Sequence, residues 1–373
     1  MIPSAQANSV QVMQMCNAFA QAGHEVTLFA RAAPQPEPLA VVKSHYGVTE
    51  QFAIRTLPFR TGLIGRFRYG IQAARFAKRQ RADLLYARCA YSALISCLLR
   101  IPTILELHSL PGKGTRLSQS ILPRLFRSKS LKRVVCITGA LKSDLLAAFK
   151  LAEDLVVVYP DGANPVNQKA LERPVGSLAE RIGSSAPLIG YLGSLYPGKG
   201  MEVILPLAKR LPQQQFVVIG GDSAGLAYWR QQAEGQNNIH FIGRVSPADT
   251  AAYCNQFSIA LAPNQRQVSG VNGANIGEWT SPLKVFEYMS LGKPILASRL
   301  AVLEEVLTDE QNCLLCDPTD IDDWAAKTTR LLSDQALAAS LGKQAQIDLE
   351  DKYSWYQRAV KILATGISHE RQQ

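Results

Sequence analysis

The sequence predicts an α/β protein of two domains, each a parallel sheet with helices on both faces, and three observations predict it. Short apolar runs, DLLY at 83–86, TILEL at 103–107 and VVCIT at 134–138, alternate with helical stretches, and the alternation resumes at 188–193, 215–219, 239–242 and 259–262. Strands separated by helices pair in parallel, because each helix carries the chain back across the sheet. Between the two series, residues 164–186 lack periodicity and are rich in Pro, Gly, Ser and charge, as a linker is. The length of 373 residues suffices for two cores of ordinary size. The expected division is a domain over 1–166, a linker over 167–186, a domain over 187–352, and a helix over 353–373 that packs back on the first domain.

Elements follow in order. Asn8 or Ser9 caps a first helix with Val12, Met15, Cys16 and Phe19 on one face, and Gly23 ends it. EVTLFA at 25–30 is a strand, followed by a Pro-rich stretch over 33–39. No strand precedes the first helix, although an α/β domain normally opens with one; this start site is expected to lie downstream of the natural one, or the strand comes from elsewhere. TILEL ends at His108, with Gly112 and Gly114 close behind. Ligands of parallel sheets bind at the carboxyl ends of strands, which singles out His108 as a donor of hydrogen bonds or an anion ligand. Residues 156–158 and the turn Pro160-Asp161-Gly162 close the first domain. In the second, LIGYLG at 188–193 leads through Ser194-Leu195-Tyr196-Pro197-Gly198-Lys199-Gly200 into a helix. Its glycines admit an anion to the backbone N–H groups and Lys199 supplies charge. Neither GxxxxGK[ST] nor GxGxxG is present, which argues against ATP hydrolysis and against a dehydrogenase. A long polar loop with Gly270, Gly273 and Gly277 follows residue 262, of a kind that moves over a ligand.

TSPLKVFEYMSLGKP at 280–294 is the centre of the second domain. Ser281 is expected to cap a helix with Pro282 in its first turn. Lys284 then opposes the helix dipole unless an anion docks there. Glu287, within one further turn, is placed to accept hydrogen bonds from vicinal hydroxyls such as those of a ribose. Phosphate and ribose together make a nucleotide; the same stretch also reads as an ordinary capped helix with solvated charges.

Charge is unevenly distributed. Residues 1–150 carry 21 Lys and Arg against 6 Asp and Glu, whereas residues 151–373 carry 19 against 24. The excess lies in two tracts without an acidic residue, 55–81 and 113–133. In the first, arginines interleave with Leu57, Phe59, Leu63, Ile64, Phe67, Tyr69, Ile71 and Phe76, a pattern suited to an anionic lipid surface. A solvated basic helix is the plainer reading. No nucleic-acid-binding signature accompanies the charge, so nucleic acid is not expected as a partner. No uncharged apolar run reaches 18 residues and no signal-peptide pattern opens the sequence, so a cytoplasmic protein is expected, peripheral on the inner face of the membrane. Seven scattered cysteines fit reduced core thiols, and Cys313-x-x-Cys316 fits a buried strand better than a metal site.

In this order the pieces resemble the family-4 glycosyltransferases of the GT-B fold, two Rossmann-like domains facing a central cleft. The resemblance rests on ANSVQVMQMCNAFAQAGHEVTLFAR, ILELH, GSLYPGKG, FIGRV and SPLKVFEYMSLGKPILAS, and covers nearly the whole chain. It implies a retaining hexosyltransferase of the bacterial surface-polysaccharide type, with a UDP-sugar or GDP-sugar donor on the C-terminal domain and a lipid-linked or glycan acceptor on the N-terminal one. By position, Ser194, Gly198 and Lys199 meet the diphosphate from one side, and Ser281, Pro282, Leu283 and Lys284 from the other. Arg244 and Val245 meet the base, Glu287 the ribose, and His108 the transferred sugar, with Asn8 and Ser9 as acceptor or cleft residues. No cofactor and no metal are expected. Trp279 stands where the family has the first of its two glutamates, beside Glu278, and Ser194 where an arginine often follows the glycine. These departures motivate a second reading, a degenerate sugar-nucleotide-binding or scaffold protein.

Overall fold

A computed structural model describes residues 2–4, 6–31, 37–57, 62–111, 116–269, 275 and 277–367. The glycines expected at 112, 114, 270 and 273 lie outside them. Two compact units result, one formed by residues 1–160 together with 355–373, the other by the uninterrupted stretch 161–354.

The first unit contains α1 (Ala7–Gln21), β1 (Thr27–Arg31), α2 (Leu39–Tyr46), β2 (Ala53–Leu57), α3 (Leu63–Arg79), β3 (Leu85–Ala87), α4 (Ala90–Leu98), β4 (Thr103–Leu107), α5 (Arg116–Phe126), β5 (Leu131–Cys136), α6 (Gly139–Phe149) and β6 (Val156–Val158). All pairings are parallel. Among the described residues they form two sheets, a pair β1-β2 and a four-stranded sheet in the order β3-β4-β5-β6, with no strand joining β1 to β3. Every residue of β4 is buried. α1 begins one residue before the expected cap Asn8: Gln6 holds the cap position, and the Ser9 hydroxyl turns back to the carbonyls of Gln6 and Ser4.

The basic tract over 55–81 corrects the expected lipid-facing mixture. Phe67 and Ile71 pack inward with Ala74, Ala77 and Ile95, and Phe76 meets Phe29 edge-on at 5.1 Å. The close approach of α3 to α4 explains this: a Cβ on Gly70 would lie 3.1 Å from the Ser92 backbone. What remains outside on α3 is Arg66, Arg68, Arg75, Lys78 and Arg79, with Ile64 the large apolar residue exposed beside them.

The second unit contains α7 (Gln168–Leu171), α8 (Leu178–Ile182), β7 (Leu188–Gly193), α9 (Met201–Arg210), β8 (Gln215–Gly220), α10 (Ser223–Gln232), β9 (Ile239–Gly243), α11 (Thr250–Cys254), β10 (Ile259–Ala262), α12 (Leu283–Ser290), β11 (Ile295–Ser298), α13 (Ala301–Glu304), β12 (Leu314–Cys316), α14 (Ile321–Ser333) and α15 (Gln335–Asp348). Its six strands form one parallel sheet in the order β12-β11-β10-β7-β8-β9. Alternate residues of each strand face opposite sides, so Phe216 and Val218 join a core with Tyr191 and Trp324 while Val217 and Ile219 join one with Phe286 and Tyr288. Cys313 and Cys316 fall in different cores, which accounts for the CxxC as packing, and burial pushes both thiols up.

Residues 167–186, expected as a linker, include α7 and α8, capped by Asn167 and Ser177. Helices of four and five residues are too short to show a period, and Leu178 anchors α8 in the second unit's core. After residue 354 the chain returns to the first unit as α16 (Trp355–Ile367), which lies against α1 and β5. Among the described residues no helix is long and apolar enough to cross a membrane.

Candidate active site

In the second unit the chain starts at β7, winds outward through β8 and β9, then crosses to β10 and winds the other way. Ligands of doubly wound sheets sit where the winding reverses, outside the carboxyl ends of the two strands concerned. The loops after β7 and β10 therefore define the site, and they are packed on each other. The Gln265 N–H donates to the Gly198 carbonyl at 2.9 Å and the Ser269 N–H to the Pro197 carbonyl at 3.0 Å. Gly198 has φ of 80°, and a Cβ there would lie 1.9 Å from the Gln267 carbonyl oxygen, so no other residue fits.

The expected use of this loop's N–H groups is corrected in part. Glu202 accepts from the Gly198 N–H at 2.7 Å and from the Gly200 N–H at 3.2 Å, satisfying both with a carboxylate of the chain itself. Gly198 thus shapes the loop, and its cation is what remains for a ligand. Tyr191, which sequence reasoning passed over, braces the loop from below: its hydroxyl donates to the carbonyls of Ser194 (2.8 Å) and Lys199 (3.1 Å). Lys284 stands 4.2 Å over the Tyr191 ring and 3.5 Å from the Lys199 carbonyl.

The two lysines converge on one place, and among the described residues neither has a carboxylate partner. Burial lowers the Lys199 ammonium from its ordinary range; burial and then the nearby Lys199 charge hold Lys284 well below it. Two ammonium groups drawn out of water toward each other is an arrangement that an anion relieves.

Helix α12 starts later than expected. Pro282 occupies the cap position with an extended backbone and no side chain caps the helix. Ser281 is diverted: its hydroxyl accepts the Asp161 N–H at 3.2 Å. Leu283 opens the helix beside Lys284 with no side chain capping it, while the Val285 N–H turns to the Pro282 carbonyl at 3.0 Å; an end without a side-chain cap suits an anion. One turn on, the Glu287 carboxyl is half-buried and raised to about 7 by burial, with no hydrogen-bonding partner among the described residues. Val245 packs against the core while Arg244 is exposed just beyond β9. Trp279 is buried and Glu278 exposed.

In the first unit His108 follows β4 directly, with its Nε2 bonded to Glu106. Asn8 is exposed and its carbonyl accepts Arg88 Nη1 at 3.0 Å, which places the start of α1 close to the end of β3. Ser9 is buried, with its hydroxyl turned to the carbonyls of Ser4 and Gln6. Glu106 lay in plain view inside ILELH as a charge within a buried run, and its partner Arg358, on α16, carried no sequence signal.

Two units of parallel α/β topology, one with paired cations at its winding reversal and one with a histidine at a central strand end, define a glycosyltransferase of the GT-B class. The chain belongs to the family-4 glycosyltransferases: residues 9–166 match the model described as Glycosyltransferase Family 4, and residues 179–348 that described as Glycosyl transferases group 1. It is 26% identical over 368 residues to the phosphatidyl-myo-inositol mannosyltransferase of Mycolicibacterium smegmatis, covering 94% of this chain and 87% of that one. It is 24% identical over 285 residues to an uncharacterized glycosyltransferase of Methanocaldococcus jannaschii, covering 73% and 72%. Among solved structures, a Rickettsia africae glycosyltransferase aligns with TM-score 0.74 at 14% identity over 99% of this chain and 96% of that one. The Anabaena protein HepE in complex with UDP aligns with TM-score 0.71 at 16% identity over 98% of both. At such identities the structures speak to the fold.

Proposed function

We propose that the chain is a retaining glycosyltransferase that takes a sugar from a nucleoside-diphosphate sugar, UDP-linked or GDP-linked, and transfers it to a lipid-linked or polysaccharide acceptor at the cytoplasmic face of the membrane. The observation that carries this is the convergence of Lys199 and Lys284 with the uncapped start of α12 at the winding reversal, one helical turn from the Glu287 carboxyl. As the bond to the sugar breaks, negative charge grows on the departing diphosphate while the sugar gains oxocarbenium character. Two preplaced cations and helix N–H groups stabilise that charge without reorganisation, in surroundings with little water to screen it. We assign this work to the lysines without a metal or cofactor. Glu287 accepts the ribose hydroxyls, and the backbone at Arg244 and Val245 meets the base. The membrane assignment is supported by the exposed cations of α3, with Arg124, Arg127 and Lys129 on and just after α5. That UDP is the nucleotide bound in the HepE structure favours testing UDP first.

Calorimetric titration with UDP, GDP and ADP tests the donor site. One nucleotide is expected to bind selectively, and Lys199→Ala to weaken it roughly 10- to 100-fold, the worth of a charged hydrogen bond. Binding unchanged in Lys199→Ala and in Glu287→Ala sinks the proposal. The buried Trp279 favours a second reading, a sugar-nucleotide-binding protein without turnover; donor hydrolysis or transfer that is lost in His108→Ala rules that out.

A further inference from the structure

We propose that Glu106 is a positioning residue for His108, fixing the imidazole with its proton on Nε2 and offering Nδ1 as a hydrogen-bond acceptor to a substrate hydroxyl, and that Arg358 from the returning helix holds Glu106 in place. This rests on the reading of His108 as the sugar-facing residue of a transferase.

Residues two apart in a strand point to the same side, so Glu106 and His108 lie next to each other at the end of β4. Glu106 is 1% exposed, in the middle of the sheet, where an unpaired carboxylate is not sustained. It is fully engaged instead. Oε1 accepts from Gln11 Nε2 at 2.7 Å and faces His108 Nε2; Oε2 accepts from the Tyr86 hydroxyl and from Arg358 Nη1 at 3.3 Å. Gln11 is itself oriented by Arg88, whose Nη1 donates to Gln11 Oε1 at 2.9 Å.

Arg358, 3% exposed, is held from several sides. Its Nε donates to the Pro160 carbonyl at 2.8 Å and its Nη2 to the Tyr159 carbonyl at 3.1 Å. With burial opposed by Arg358 and then His108, the Glu106 carboxyl sits below the ordinary range and accepts from its neighbours as a carboxylate. Four donors on two oxygens leave it no capacity to act as base or nucleophile. A carboxylate facing Nε2 makes that nitrogen the donor, and the lone pair of the neutral ring is then on Nδ1. The ring is 24% exposed, so substrate can reach it while Glu106 stays out of contact.

The test uses the full chain with ring-15N histidine, the His108 signals being identified by their absence in His108→Gln. Long-range proton–nitrogen spectra above neutral pH are expected to show His108 as the Nε2–H tautomer. In Glu106→Gln, and in Glu106→Asp should the first not fold, the tautomers are expected to average. Turnover of the donor sugar is expected to fall about 10- to 100-fold in kcat, as displaced catalytic groups do, with nucleotide affinity within about twofold of the parent. Arg358→Lys, which keeps the cation, is expected to retain the tautomer. A folded Glu106 variant that keeps His108 as Nε2–H overturns the inference, and so does one that loses the tautomer but turns over at the parental kcat. Absence of turnover in every variant, parent included, overturns the transferase reading on which the inference rests; the spectra need no substrate and judge the geometry separately.

Discussion

A carboxyl titrating at about 7 on a half-buried helix face weakens the unliganded fold at neutral pH. Glu287 has an ordinary value of 4.5 and about 7 in the folded chain, so between these the folded state holds a proton that the unfolded state has released. Stability from this residue therefore falls as pH rises from about 4.5 to 7 and stays low above it. Glu287→Gln is expected to stabilise the fold at pH 8 by on the order of 1 to 2 kcal/mol after solvent screening, seen as a higher melting temperature, and to leave it unchanged at pH 4. The same variant is expected to lose nucleotide affinity, and melting curves at the two pH values check the first half. Lys199 and Lys284 behave in the converse way: an anion raises both ammonium groups, so nucleotide binding at pH 9 is expected to take up protons. Titration in buffers of different ionisation enthalpy measures that uptake. Residues of this kind are legible in sequence because their chemistry shows in their type and neighbours, as Lys199 does in PGKG. Tyr191 and Arg358 are not. A tyrosine inside a buried strand and an arginine on the last helix each have a bland reading, and what distinguishes them is a partner brought near only by folding.

At the scale of elements, α3 is where sequence and structure differ most usefully. The alternation of arginines with bulky residues was legible, but which face each took was decided where α4 comes close at Gly70, a contact that only folding makes. The outcome is a basic surface with Ile64 as the large exposed apolar side chain, so the membrane attachment proposed above would be electrostatic more than inserted. Arg66→Glu, Arg68→Glu and Arg75→Glu together are expected to abolish binding to vesicles rich in phosphatidylserine, since each cation contributes about 1 kcal/mol. Binding by the parent is expected to fall steeply with added salt, and co-sedimentation reads both. α12 carries a similar lesson. SPLK announced a helix start, yet Ser281 bonds outward to Asp161, 120 residues earlier, and the helix begins at Leu283 without a side-chain cap. A cap is a local rule, and a distant partner outbid it.

For the molecule as a whole, two series of parallel strands and two cores were legible from period and length, but not the order of the strands across each sheet. The return of the chain at residue 355 was legible as a last helix packing back on the first domain, but α1 and β5 as the elements it meets were not. That return delivers Trp355, Arg358, Ala359 and Ile362, all buried, to the first unit. A chain ending at residue 354 leaves Glu106 in the core without its cation, a loss on the order of 3 to 5 kcal/mol. Calorimetry of that chain is expected to show the transition of the first unit lowered or absent, while the second, continuous over 161–354, melts as before and still binds nucleotide.

Synthesis runs in one direction, and domains complete themselves as their residues emerge. Every residue of the second unit leaves the ribosome before Trp355 does, so that unit can finish folding while the first, begun earlier, waits for α16. Until then Glu106 lacks the Arg358 cation that holds it in place for His108. If His108 faces the sugar as proposed, that end of the site in a nascent chain stays incomplete until nearly the last of the described residues has been made.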